Sequence, residues 1–207
     1  MQGCSAILKS ISIHSDLQKP SAWVLRFAPL VSQNGSVLDL AAGRGRHGRL
    51  FLKRGNQVTL VDRSLEGLRD LENEDRAEVI QADLEDGSPW PMMGRIFAGV
   101  VVINYLYRPL IKDLLKSIEP EGVLIYETFS RGNEAYGRPS NPEFLLDPGE
   151  LLEFVAGTMQ VLAYENGIER KGELEKVVQR ICAVRHSSAR YGGKPAPSPI
   201  NPLSQCG

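Results

Sequence analysis

The segment Val37 to Phe51, VLDLAAGRGRHGRLF, sets Gly43, Gly45 and Gly48 directly after an apolar stretch that reads as a strand. Glycines at such a turn let the backbone bend tightly and approach a ligand, and the helix that follows offers its first amides to an anionic group. The spacing alone suits a nicotinamide or flavin dinucleotide. Asp39, inside the strand before the loop, argues against a pyrophosphate, which a carboxylate would repel, and for an ammonium, which it would attract. Two further carboxylates stand at the ends of the next two apolar runs. Asp62 closes QVTLVD at the distance at which a carboxylate accepts both ribose hydroxyls, and Asp83 closes VIQAD, where it could accept a bond from an adenine amino group. Three acidic strand ends would line one crevice, and a dinucleotide explains only one of them.

Other side chains with chemical potential follow. Arg46 stands near the helix start, placed to meet a carboxylate. Arg44, Arg46, His47, Arg49, Lys53 and Arg54 form a basic cluster, read either as a nucleic-acid contact or as a solvated helix face on which Arg49 and Lys53 are neighbours. His47 is either a base or a locally bonded residue at the helix start. Asn104 and Tyr105 follow the fourth apolar run. Glu127, in YETF, is either a general base or a carboxylate paired with an arginine. The 130–148 loop is longer than a connection requires and carries Arg131, Asn133, Glu134, Tyr136 and Arg138, which reads as a substrate lid or as an ordered surface loop pinned by its prolines.

The elements that must position these residues alternate. Strands SVLDL, QVTLVD, AEVIQAD, AGVVVIN and GVLIYETF are separated by the helical patterns GRLFLKRG, SLEGLRDLEN and RPLIKDLLKSI. Near-continuous Val/Ile/Leu strands between helices predict a parallel sheet covered on both faces. Ser64 is the expected N-cap of the SLEGLRDLEN helix, with Leu65, Leu68 and Leu71 as its buried stripe. A leading amphipathic helix is expected over about 16–31, with Trp23, Phe27 and Leu30 on one side. Asp147-Pro148-Gly149-Glu150 reads as a capping box that opens a short helix, ELLEFVA. TMQVLAYENGIE and EKVVQRICAVR, joined by a short connection, can pair only antiparallel. The expected fold is therefore α/β: three layers around a seven-stranded, mostly parallel Rossmann-like sheet that ends in an antiparallel hairpin. Residues 1–186 form the single domain, and 187–207 a Pro/Gly-rich tail.

Composition narrows the class. The 207 residues hold 24 Lys and Arg against 25 Asp and Glu, a net charge of −1, so no general electrostatic attraction to nucleic acid or anionic membrane is expected. The three cysteines, Cys4, Cys182 and Cys206, lie far apart, which argues against a zinc site or a disulfide framework, and no metal is expected. No apolar stretch is long enough to span a bilayer, and the first residues make a poor secretory signal; a cytoplasmic protein, monomer or homodimer, is expected.

The ordered set VLDLAAGRG, Asp62 and Asp83, with the terminal hairpin, resembles the class I S-adenosylmethionine-dependent methyltransferases over roughly residues 20–186. Ala41 stands where many members have glycine. More loosely, GRGRHGR, INYLYRPL and YETFSRGNEAYGRPSNPEFLL are similar to the small-molecule branch that includes tellurite-resistance methyltransferases. The resemblance implies an S-adenosylmethionine cofactor held by Asp39, Gly43, Gly45, Arg46, Asp62, Arg63, Asp83, Leu84 and Asn104. It also implies a small-molecule methyl acceptor near Asn104, Tyr105 and Glu127, with Arg131, Glu134, Tyr136 and Arg138 in the lid. Asn104 and Tyr107 fit the outer positions of the N-P-P-Y motif of enzymes that methylate amines on nucleic acid or protein, without its two prolines. A non-catalytic binder of the same cofactor and an NAD-dependent oxidoreductase are the alternatives from other classes.

Overall fold

A computed structural model describes residues 19–172 and 174–186. The 187–207 tail, Cys4, Cys206 and the first residues of the expected leading helix lie outside the described residues. Seven strands make one sheet: β1 (Ser36–Leu40), β2 (Gln57–Asp62), β3 (Ala77–Gln81), β4 (Phe97–Ile103), β5 (Ile118–Phe129), β6 (Met159–Lys171) and β7 (Leu174–Arg185), in the order β3-β2-β1-β4-β5-β7-β6. β1 to β5 are mutually parallel, and β7 runs antiparallel to both β5 and β6.

Burial on both faces explains the apolar runs. Every residue of β4, FAGVVVI, is buried at the centre of the sheet. On one face, Leu38, Leu40, Val100, Val102, Leu124 and Tyr126 pack under α3 (Ile111–Lys116) and α4 (Glu150–Val155). On the other, Val37, Val101, Val123 and Ile125 pack under α1 (Ala22–Phe27) and α2 (Arg46–Lys53). Because strand side chains alternate, Asp39 and Glu127 share this second face with Val37 and Ile125.

The leading helix is shorter than its periodicity suggests. Ser21 caps it, its Oγ accepting from the Trp23 amide at 3.1 Å, and Pro29 confines its end to a 3-10 turn, Ala28–Leu30. Trp23 and Phe27 pack edge to face at 4.6 Å, and the Trp23 indole donates to the Ile181 carbonyl at 3.1 Å.

The SLEGLRDLEN helix does not form. The segment folds as turns with one 3-10 turn, Arg69–Leu71. Asp62 takes the Ser64 amide into an Asx turn at 3.0 Å, and Gly67 interrupts a pattern already short for a helix. The leucines still reach the core, with Leu68 and Leu71 buried beside Leu60. The capping box forms in half: Glu150 accepts from the Asp147 amide at 2.8 Å, while the Asp147 carboxylate pairs with Arg131 at 2.9 Å instead of capping.

Candidate cofactor and acceptor site

At the C-terminal ends of β2, β3, β4 and β5 the chain encloses a cavity of about 470 Å³. Parallel strands place their ligands at this edge, where the βα turns converge on either side of a reversal in strand order. Asp62 and Arg63 line it after β2; Ala82, Asp83, Leu84 and Glu85 after β3; Asn104, Tyr105 and Leu106 after β4; Thr128 and Phe129 at the end of β5. Ala41 supplies the floor, and Pro139 and Phe144 reach in from the 130–148 loop. Asp62, Arg63, Asp83, Leu84, Asn104 and Tyr105 are thus brought together as the sequence suggests. Glu85, Leu106, Thr128, Phe129, Pro139 and Phe144 were missed by sequence reasoning, and for the first four their place just past or at a strand's C-terminal end was the available signal.

The glycine loop is held open from below. Ala41 and Gly43 both adopt left-handed backbone, with φ of 51° and 58°. The Gly43 amide donates to Asp62 at 2.7 Å, so the ribose-binding candidate also clamps the loop. A Cβ on Gly43 would meet nothing within 4 Å, which leaves the backbone open to a ligand. Gly45 works differently. A Cβ there would lie 2.7 Å from Leu68 and 2.9 Å from Leu60, so its missing side chain serves packing under the loop, as that of Gly48 does against Leu60.

Asn104 has φ of 58°, its amide donates to the Glu127 carbonyl at 2.8 Å, and its side chain is exposed to the cavity. The Tyr105 hydroxyl is held well above its ordinary pKa, chiefly by burial and then by the Glu85 carboxylate beside it. It stays protonated and available as a donor. Asp83 accepts the Glu85 amide at 3.0 Å.

The expected site residues Asp39, Arg46 and Glu127 are not in the cavity's lining, and neither is His47. Asp39 is buried behind the loop, where one oxygen accepts the Gly48 amide at 2.7 Å. Desolvation pushes its pKa up to about 7, against the Gly48 hydrogen bond and the charge of Arg46. His47 is also buried; its Nε2 accepts the Ser21 amide at 3.2 Å, so Nδ1 carries the proton, facing Asp39 at 4.0 Å. Burial, and then Arg46, lower its pKa to about 3, which makes it a neutral structural group. Glu127 accepts the Ser21 hydroxyl at 2.9 Å and pairs with Lys176 at 3.6 Å and Arg180 at 3.7 Å. That is the paired carboxylate of the two sequence readings, facing α1 rather than the cavity. Arg46 stands between Glu127 and Asp39, whose charges oppose the lowering of its pKa by burial. The basic cluster is not a uniform solvated face, because Arg49 grips Asp70 with two bonds of 2.6 and 2.7 Å.

The proposed lid is an anchored loop. Arg131 pairs with Asp147, Glu134 accepts the Gly132 amide at 2.8 Å, and Tyr136 and Arg138 are exposed. None of the four lines the cavity. Buried Asn133 fastens the loop instead: it donates to the Pro139 carbonyl at 3.0 Å and accepts the Val177 amide at 3.0 Å. Arg108 holds its far side through Glu150, at 2.6 and 2.9 Å, and through the carbonyls of Glu143 and Leu145.

The sheet order and its antiparallel end are those of the class I S-adenosylmethionine-dependent methyltransferase fold. Among solved structures the chain is similar to TehB from Haemophilus influenzae, with a TM-score of 0.66 and 16% identity over 80% of this chain and 62% of that one. It is also similar to the 1,6-didemethyltoxoflavin-N1-methyltransferase of Burkholderia thailandensis, solved with its substrate and S-adenosylhomocysteine: TM-score 0.57, 17% identity, 87% of this chain and 86% of that one. Among curated proteins, it is 29% identical over 129 residues to the malonyl-[acyl-carrier protein] O-methyltransferase of Salmonella typhimurium, covering 58% of this chain. The chain spans about half the length of that relative, 49%. No protein-family model matches the chain.

Proposed function

We propose that the protein is an S-adenosylmethionine-dependent methyltransferase acting on a small molecule in the cytoplasm. The observation that carries this reading is the pair of carboxylates, Asp62 and Asp83, following adjacent parallel strands and lining one cavity with Ala41, while Asp62 also accepts the Gly43 amide of the glycine loop. Asp62 would accept both ribose hydroxyls and Asp83 the adenine amino group, with Leu84 and Arg63 beside the nucleoside. Gly43 would leave room for the methionyl part, and Arg46 would meet its carboxylate from the start of α2. Bound S-adenosylmethionine supplies an activated methyl group that needs little covalent help. The chain's own residues therefore act by alignment and exclusion of water: Asn104 and Tyr105 border the acceptor, and Leu106, Phe129 and Phe144 wall it off. Glu127, engaged on the other face of the sheet, takes no proton from the acceptor in this scheme.

The similarity to a methyltransferase of an acyl-carrier-protein substrate favours one second reading, an acceptor presented on a carrier protein. Incubation with S-adenosylmethionine, S-adenosylhomocysteine or NAD should raise the melting temperature with the first two only. A panel of free and carrier-bound acceptors, assayed for S-adenosylhomocysteine, then separates the acceptor classes. A shift with NAD alone would replace the reading by an oxidoreductase, and cofactor binding without any turnover would point to a non-catalytic binder.

A further inference from the structure

The start of the described chain is fastened to the back of the glycine loop by three contacts from two elements. Arg46, the first residue of α2, donates to the Lys19 carbonyl at 3.3 Å. His47, the next residue, accepts the Ser21 amide at 3.2 Å. Glu127, at the end of β5, accepts the Ser21 hydroxyl at 2.9 Å. His47 and Glu127 are both buried, and Glu127 is fixed in turn by Arg180 and Lys176. Downstream, α1 is anchored by Trp23, which is buried and bonded to the Ile181 carbonyl. Ser21 is therefore the point at which a rigid helix hands over to a segment lying across the loop. A helix cap needs only the bond to Trp23; the two further bonds made by Ser21 tie it to the loop and to β5.

We propose that Ser21 is a positioning residue: through His47 and Glu127 it sets Lys19–Ser21 as a wall against the start of α2, where the proposed function would put the amino-acid end of the cofactor. The inference rests on the S-adenosylmethionine reading of the site and deepens it. It assigns to Glu127 and His47 the placement of a wall in place of acid–base chemistry, and it explains two polar side chains buried on the face opposite the cavity's acceptor end.

Binding of two nucleosides by calorimetry tests it: S-adenosylhomocysteine, which carries the amino-acid end, and 5′-methylthioadenosine, which lacks it. Ser21→Ala, which removes the hydroxyl's bonds to Glu127 and from the Trp23 amide and leaves the backbone bond to His47, should weaken S-adenosylhomocysteine by about 3- to 10-fold and leave methylthioadenosine unchanged. Ser21→Thr, which keeps the hydroxyl, should restore the difference, so a variant that merely loosens α1 is recognised by losing both ligands. Equal losses for the two nucleosides, or none, overturn the inference while the cofactor reading stands. A wild-type protein that binds neither overturns the cofactor reading and takes this one with it.

Discussion

The two halves of the cavity are built by different means. On the β2–β3 side the polar lining groups are short acidic side chains at or just past strand ends, Asp62 half-buried and Asp83 exposed, oriented by backbone amides, as with Asp62 between Gly43 and Ser64. On the β5 side the residues that touch the cavity are bland, Thr128, Phe129, Pro139 and Phe144, and the polar side chains stand behind them as fasteners. Asn133, Glu150 and Gln179 are buried, and each bonds backbone of the 130–151 region. The first half leaves its carboxylates open to the cavity, and the second turns its polar groups to holding a loop still. Substitutions on the two sides should accordingly fail in different ways.

The largest loss is expected at Glu150. Glu150→Ala leaves Arg108 without its two carboxylate bonds and the Asp147 amide without an acceptor, for about 2–4 kcal/mol of stability by denaturant unfolding, less than a fully buried pair because Arg108 is partly solvated. Asn133→Ala should follow at about 2–3 kcal/mol, since it strands the buried Val177 amide. Asp62→Ala reverses the pattern: cofactor affinity falls by about 1.5–3 kcal/mol in calorimetry while stability changes less. An Asp62 variant that unfolds as readily as the Glu150 variant would erase the contrast between the halves. Ala41→Gly relieves a left-handed alanine and should stabilise the protein by up to about 1 kcal/mol, read as a small rise in melting temperature.

The smallest effect is a cancellation. The folded Asp39, with its pKa raised from 3.8 to about 7, holds a proton that the unfolded chain releases, so its contribution is lost as pH rises through that window. The folded His47, lowered from 6.5 to about 3, refuses a proton that the unfolded chain accepts, so its contribution is lost as pH falls. Between about pH 4 and 6.5 the two states bind the same number of protons at this pair, and the pair adds no slope to stability. Asp39→Asn should uncover the histidine, with stability falling by about 1.4 kcal/mol per pH unit on acidification from 6.5.

The same contrast sets how much was legible in advance. The first five strands, the hairpin, and the cavity positions of Asp62, Asp83 and Asn104 follow from alternation and spacing, which are local properties of the chain. SLEGLRDLEN misleads because its leucines are periodic, yet Asp62 and Gly67 favour turns, and burial of Leu68 and Leu71 needs no helix. Asp39 was read as a cavity residue because strand ends were treated as one row; the parity it shares with Val37 sends its side chain under the loop. Glu127 carries the same parity signal through Val123 and Ile125. The anchoring by Asn133, Arg108 and Gln179 left no pattern to find, since their partners are backbone groups on distant elements, brought near only by the completed sheet.

Val177 shows what that anchoring means for the sheet as a surface. β5 stops pairing at Phe129 opposite Val178, but β7 continues in the hairpin, and its next amide and carbonyl are taken by Asn133 and by the Ser130 amide. The loop thereby stands in for a missing strand, and peeling back its base would bare a ladder rung ready to pair with another chain. Any breathing of this loop should then be confined to the span beyond this seal, around Pro139 and Phe144.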